Sequence, residues 1–245
     1  MKLNELKIKI FADGADIKVM EEQYKSGLVK GFTTNPTLMK NNGITDYESF
    51  AKNVLAKIST LPISFEVFSD EFNEMEKQAK KIASWGKNIN VKIPITNTKG
   101  ESSIPLIKKL SSDGLSLNIT AILTVEQVRA VKDALSLDRY NIVSVFAGRI
   151  ADTGRDPIPL MTESAEILKS LKNVDLLWAS SRELLNIFQA EQSGCQIITV
   201  TNDILKKLHM IDKDLSLLSL DTVKMFYQDA CKAGFRISTE VTSHK

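Results

Sequence analysis

Short apolar runs rich in valine, isoleucine and phenylalanine alternate along the chain with longer segments whose apolar residues recur at helical spacing. The short runs are IKIFAD (8–13), LVKGFTTN (28–35), ISFEVFS (63–69), NVKIPI (90–95), LSLNIT (115–120), IVSVFAG (142–148), DLLWASS (175–181) and CQIITVT (195–201). Each has the length and β-branched content of a buried strand. Between them lie stripes such as Phe50, Val54, Leu55 and Ile58, the pattern of a helix packed on one side. Thr45 with Glu48, and Thr124 with Gln127, have capping-box spacing, while Asp113-Gly114 and Ser193-Gly194 supply helix-stopping turns. Strands alternating with helices through short turns predict parallel pairing with right-handed crossovers. Eight such units favour a closed (β/α)8 barrel over an open doubly wound sheet, and no linker or composition break divides the chain. Residues 1–245 therefore read as one α/β domain, with an additional C-terminal helix over 215–234 and a polar, flexible tail at 239–245.

Composition narrows the possible functions. The chain of 245 residues is 43% hydrophobic and 25% charged, with a formal net charge of +2, which gives no electrostatic reason to expect a nucleic acid or a membrane surface as partner. No apolar run approaches the roughly 20 residues that span a bilayer, and no leader pattern opens the sequence. Cys195 and Cys231 sit apart in apolar or helical surroundings and read as small buried hydrophobes of a reduced compartment, so a cytoplasmic location is expected. The only histidines, His209 and His244, are too few for a histidine-based zinc site or a Ser-His-Asp triad, and no metal site is expected.

In a barrel of this kind chemistry gathers at the C-terminal ends of the strands. The polar residues there are Asp13, Thr33, Thr34, Asn35, Glu66, Lys92, Asn118, Thr120, Ser144, Arg149, Ser180, Ser181 and Arg182. Lys92, between Val91 and Ile93, is the least expected of them. It can be a rim lysine or a structural ion pair with Asp13 or Glu66. It can equally be an amine whose burial favours the neutral, nucleophilic form that attacks a carbonyl to give a Schiff base. Two carboxylates in different surroundings would divide the proton transfers of such a reaction, and the trio favours chemistry. ASSRELL has a second feature: Ser180 and Glu183 have capping-box spacing, and a helix start with hydroxyls and an arginine also suits an anion. Arg149 either pairs with Asp152 or adds a second positive charge there.

Taken in order, FADGAD, TTNP, FEVFS, VKIPIT, LNIT, SVFAGRIAD and ASSR resemble the transaldolase family over about residues 8 to 235. The resemblance implies a barrel of class I aldolase type that moves a dihydroxyacetone unit between sugar phosphates with no metal or organic cofactor. It implies Lys92 as the Schiff-base lysine, Asp13 as acid/base for carbon–carbon cleavage, and Glu66 with Thr120 as holders of the catalytic water. It further implies Asn35 and Asn118, with Thr33, Ser144 and Phe146 nearby, as the substrate-binding group, and Arg149, Ser180 and Arg182 as the phosphate-binding group. A homo-oligomer is implied as well, because the terminal helix of small members can lie over a neighbouring subunit.

The fructose-6-phosphate aldolases form a close branch of this family. They typically carry glutamine at the position of Glu66 and tyrosine at that of Phe146, so both residues here resemble the transaldolase side. A phenol near the imine can organise water for release of free dihydroxyacetone, and Phe146 cannot. Ser181 departs from the family, where an aromatic residue is common, and a metal-dependent class II aldolase would need histidines that this chain lacks.

Overall fold

A computed structural model describes residues 5–239. All eight strands form: β1 Lys9–Asp13, β2 Gly31–Thr33, β3 Ile63–Glu66, β4 Ile89–Pro94, β5 Leu117–Ile122, β6 Asn141–Val145, β7 Val174–Trp178 and β8 Ile197–Thr201. They pair in parallel in sequence order and β1 closes on β8, giving a closed barrel with the helices outside. The helices are α1 Ile17–Ser26, α2 Pro36–Asn41, α3 Tyr47–Lys57, α4 Phe72–Ala83, α5 Ile104–Ser112, α6 Val125–Ala134, α7 Ala147–Ala151, α8 Ile158–Leu168, α9 Leu185–Gln192, α10 Asn202–Leu205 and α11 Leu215–Ala233. The tail expected at 239–245 falls, beyond Thr239, outside the described residues, as does His244. No helix among the described residues is long and apolar enough to cross a membrane.

Local signals explain most boundaries. The Thr124–Gln127 capping box forms at the start of α6, and Gly114 and Gly194 take the left-handed conformation after α5 and α9. Two expected caps are replaced. The α3 cap is Asp46, whose carboxylate accepts from the Ser49 N–H, so the nearer and more basic oxygen displaces Thr45. Ser180 caps nothing: its φ is +60° and α9 begins only at Leu185, with the Asn186 side chain accepting from the N–H groups of Arg182 and Glu183.

Strand alternation sorts side chains between the two faces of the barrel wall. Outward residues such as Phe32, Phe65, Val91, Ile93, Ile119, Val143, Leu176 and Ile198 join the helices in the main core. Inward residues stack in layers. Phe11, Ile142, Leu177 and Ile197 form a buried apolar plug. One step earlier along the strands, Lys9 and the Tyr140 hydroxyl both donate to Asp175 Oδ2, at 2.7 and 2.6 Å, and this pairs the charges below the plug. One step later come Asp13, Ser144 and Thr199, facing the opposite end.

β2 runs past the Phe11 ring, and a Cβ on Gly31 would lie 2.4 Å from it. The α11 helix has no buried residue, and Val223, Phe226 and Tyr227 stay exposed on it. Cys231, expected to be buried, is exposed on this helix because α11 does not enter the core, whereas Cys195 is buried and its thiol is pushed up to about 12 by desolvation. Replacing Gly31→Ala should overpack the plug and cost about 1–3 kcal/mol, read from the urea unfolding midpoint at unchanged slope.

Candidate active site

The layer above the plug opens into a cavity of about 390 Å³ at the C-terminal ends of the strands. Asp13, Thr33, Asn35, Glu66, Lys92, Asn118, Thr120, Ser144, Phe146, Arg149 and Ser180 all line it. Register explains the convergence: Asp13 pairs with Thr33, Glu66 with Lys92, and Lys92 with Asn118, so neighbouring strands bring these inward positions to one height.

Lys92 is buried, and its Nζ donates to Glu66 Oε2 at 3.0 Å and to the Thr34 carbonyl at 3.0 Å. These contacts match the rim-free, paired arrangement that a buried ammonium requires. Asp13 accepts from the Thr33 hydroxyl at 2.7 Å, and Thr33 in turn contacts the Thr199 hydroxyl at 2.6 Å, which must donate because the Thr33 proton is already committed. Burial holds the Asp13 carboxyl above the ordinary carboxylate range, against the opposing pull of the Lys92 ammonium and the Thr33 hydrogen bond. On the opposite wall Ser144 donates to Asn118 Oδ1 at 2.6 Å and Asn118 Nδ2 donates to Ser64 Oγ at 3.0 Å. This fixes the amide orientation and leaves one Asn118 N–H for another acceptor. Thr120 Oγ1 is buried with no hydrogen-bond partner in the protein. Thr120 is itself among the residues that line the cavity. Asn35 caps α2 through its Oδ1, and its amide nitrogen is left over for a ligand.

The other end of the cavity depends on Gly148. A Cβ there would meet the Ser180 carbonyl oxygen at 1.6 Å. Only glycine lets α7 lie against the turn after β7, which itself adopts a left-handed conformation at Ser180. That contact brings Arg149 and Ser180 to one wall, with the Arg149 guanidinium 5.7 Å from the centre of the Phe146 ring. Arg182 does not join them. Its Nε donates to Asp152 Oδ1 at 2.9 Å, and the guanidinium holds that carboxyl below its usual range. The ion pair considered for Arg149 and Asp152 is thus made by Arg182 instead.

Three contributors escape sequence reasoning. Thr199 and Ser64 sit on inward positions of β8 and β3, and alternation with Ile197 and Glu66 could have pointed to them. Tyr47 lies outside the barrel wall at the start of α3, yet its hydroxyl bonds the Glu66 backbone. Nothing in its local sequence signals that contact.

The strands thus build a closed parallel barrel with a buried lysine paired to Glu66 and a second carboxyl, Asp13, on the same cavity. The family model for Transaldolase/Fructose-6-phosphate aldolase matches residues 10–243, and the chain belongs to that family. A probable transaldolase of Dehalococcoides mccartyi is 36% identical over 202 residues, covering 82% of this chain and 90% of the relative. Probable transaldolases of Thermoplasma volcanium and Nitrosopumilus maritimus are 34% and 30% identical, covering 82% and 87% of this chain and 87% and 92% of their own lengths. Among solved structures, dihydrodipicolinate synthase from Rhodopseudomonas palustris superposes with a TM-score of 0.57 over 90% of this chain and 80% of its own, at 12% identity, a likeness of fold.

The raised Asp13 carboxyl has a consequence for stability. Well below the ordinary carboxylate range both folded and unfolded chains hold the proton and Asp13 contributes nothing. As pH rises the unfolded chain ionises first, so the cost to the fold grows and is complete above the raised folded value. Asp13→Asn should therefore match the parent near about pH 3 and exceed it near about pH 7 by more than about 0.5 kcal/mol, measured by thermal unfolding across pH.

Proposed function

We propose that this protein is a transaldolase, transferring a dihydroxyacetone unit between sugar phosphates through a Schiff base on Lys92. The observation that carries this reading is the placement of one buried amine against Glu66, with the desolvated carboxyl of Asp13, whose burial makes it a better proton acceptor than an exposed aspartate, on the same cavity. Passing a proton to Glu66 leaves the Lys92 amine neutral. It attacks the ketose carbonyl carbon, and loss of water gives the imine. Asp13 takes the proton of the hydroxyl two carbons away, the carbon–carbon bond breaks, and its electron pair moves into the imine to form an enamine as the aldose phosphate leaves. The enamine then adds to a second aldose phosphate, Asp13 returns the proton, and water handled by Glu66 and the unpartnered Thr120 hydroxyl hydrolyses the product imine.

Asn35, Thr33, Asn118 and Ser144 supply donors and acceptors for the hydroxyls of the sugar chain. Arg149 and Ser180 take the phosphate, with Arg182 joining only by exchanging Asp152 for it. In this reading sedoheptulose 7-phosphate and glyceraldehyde 3-phosphate exchange with erythrose 4-phosphate and fructose 6-phosphate in the pentose phosphate pathway, in the cytoplasm. Sugar phosphates are its small-molecule partners. The exposed apolar residues of α11 support a homo-oligomer.

Phe146 and Glu66 favour transfer over release of free dihydroxyacetone, because an apolar ring beside the imine organises no water for enamine protonation. Fructose 6-phosphate should therefore turn over only when erythrose 4-phosphate is supplied. Phe146→Tyr should raise acceptor-independent dihydroxyacetone release, on the order of a hundredfold, the size of one general-acid contribution at the low end. Steady release by the parent protein without an acceptor would make it an aldolase instead. Lys92→Met should abolish both activities, and retained turnover would overturn the Schiff-base reading.

A further inference from the structure

Both partners of the Lys92 ammonium belong to the seam between β2 and β3, and the hydrogen bonding there departs from a regular ladder. Phe32 N–H donates to the Pro62 carbonyl at 2.9 Å and Thr34 N–H to the Ser64 carbonyl at 3.2 Å. A parallel ladder continued by one step would place the Glu66 N–H on the Thr34 carbonyl. That bond is not made. The Thr34 carbonyl accepts from Lys92 Nζ, while the Glu66 N–H donates to the Tyr47 hydroxyl at 2.8 Å. The same hydroxyl donates back to the Glu66 carbonyl at 2.9 Å.

One phenol therefore satisfies both backbone groups that the end of β2 leaves unpaired. Edge-on contacts with Phe65, Phe68 and Trp85, at ring separations of 6.2, 5.6 and 5.6 Å, hold it in place. Asp46 caps the helix that carries it.

We infer that Tyr47 is a positioning residue for Lys92: by taking the Glu66 backbone it keeps the Thr34 carbonyl open to the ammonium and fixes the Glu66 carboxylate opposite. Without the hydroxyl, the Glu66 N–H has an acceptor within one ladder step, the Thr34 carbonyl, and making that bond takes an oxygen from the lysine. The strand end then shifts with its carboxylate. This inference rests on Lys92 being the Schiff-base residue, and Tyr47 itself touches no substrate.

The test compares Tyr47→Phe with Phe68→Leu, which removes one ring contact to Tyr47 but keeps the hydroxyl. Turnover of fructose 6-phosphate with erythrose 4-phosphate is measured beside the rate at which borohydride traps the adduct. Tyr47→Phe should lower kcat and the trapping rate together by about 10–100-fold, with KM changed less than about threefold, because the hydroxyl-binding and phosphate-binding walls are untouched. Phe68→Leu should stay within about twofold on each measure. Tyr47→4-aminophenylalanine, whose nitrogen can donate and accept from the same point, should recover most of the lost rate. Should Tyr47→Phe fail to fold, Tyr47→4-fluorophenylalanine, which fills the hydroxyl's space without donating, carries the same comparison.

An undiminished trapping rate without the hydroxyl, or an equal loss in Phe68→Leu, would overturn the inference. So would a rise in KM in place of a fall in kcat. Absence of any adduct in the parent protein would remove the Schiff-base reading first and this inference with it, whereas a parent adduct with undiminished trapping in Tyr47→Phe would remove this inference alone.

Discussion

An ammonium enclosed by a barrel wall has to be answered by oxygen, because desolvation of an unpaired cation costs more than packing around it returns. Lys92 meets that constraint with one carboxylate and one main-chain carbonyl. The need for them shapes the surrounding structure: the β2–β3 ladder stops one bond early, the Glu66 backbone turns to a side chain from outside the barrel, and polar residues displace apolar ones from the inward positions. The apolar plug below, with Phe11 against Gly31, separates this layer from the Lys9–Asp175–Tyr140 cluster at the opposite end.

The two carboxylates of the site then differ in their surroundings. Glu66 faces the ammonium directly and is held by its backbone. Asp13 is desolvated and supported by a threonine pair, so it keeps its proton to higher pH than an exposed aspartate. In the proposed transfer, a carboxyl that accepts a proton and returns it in the same cycle benefits from that placement, while the cost of burying its charge falls on stability. Gly148 serves the other end of the cavity in a comparable way, since a single missing methyl group allows Arg149 and Ser180 to share a wall.

The barrel was legible because hydrophobic periodicity switches between strand and helix spacing at every unit, and a wrong period at any unit would have exposed a strand buried on both faces. Lys92, Asp13 and Glu66 were legible for the same reason, as charged residues in runs that had to be buried. Most of what escaped depended on contacts distant in sequence. Asp46 beats Thr45 as a cap within its own segment, but Arg182 pairs with Asp152 across 30 positions and so leaves the cavity. Tyr47 reaches Glu66 from the outer layer, where an aromatic residue on a helix ordinarily signals packing. Cys231 and the apolar residues of α11 look like core because periodicity marks a face to be covered without showing what covers it.

In the proposed reaction the buried amine of Lys92 is the nucleophile. Borohydride reduction in the presence of fructose 6-phosphate, followed by proteolysis and mass mapping of every lysine-containing peptide, tests that role most directly. A single reduced adduct on the peptide carrying Lys92 is the predicted result. An unmodified Lys92, with the adduct absent or spread over surface lysines, would contradict the account and leave Lys92 and Glu66 as a structural ion pair.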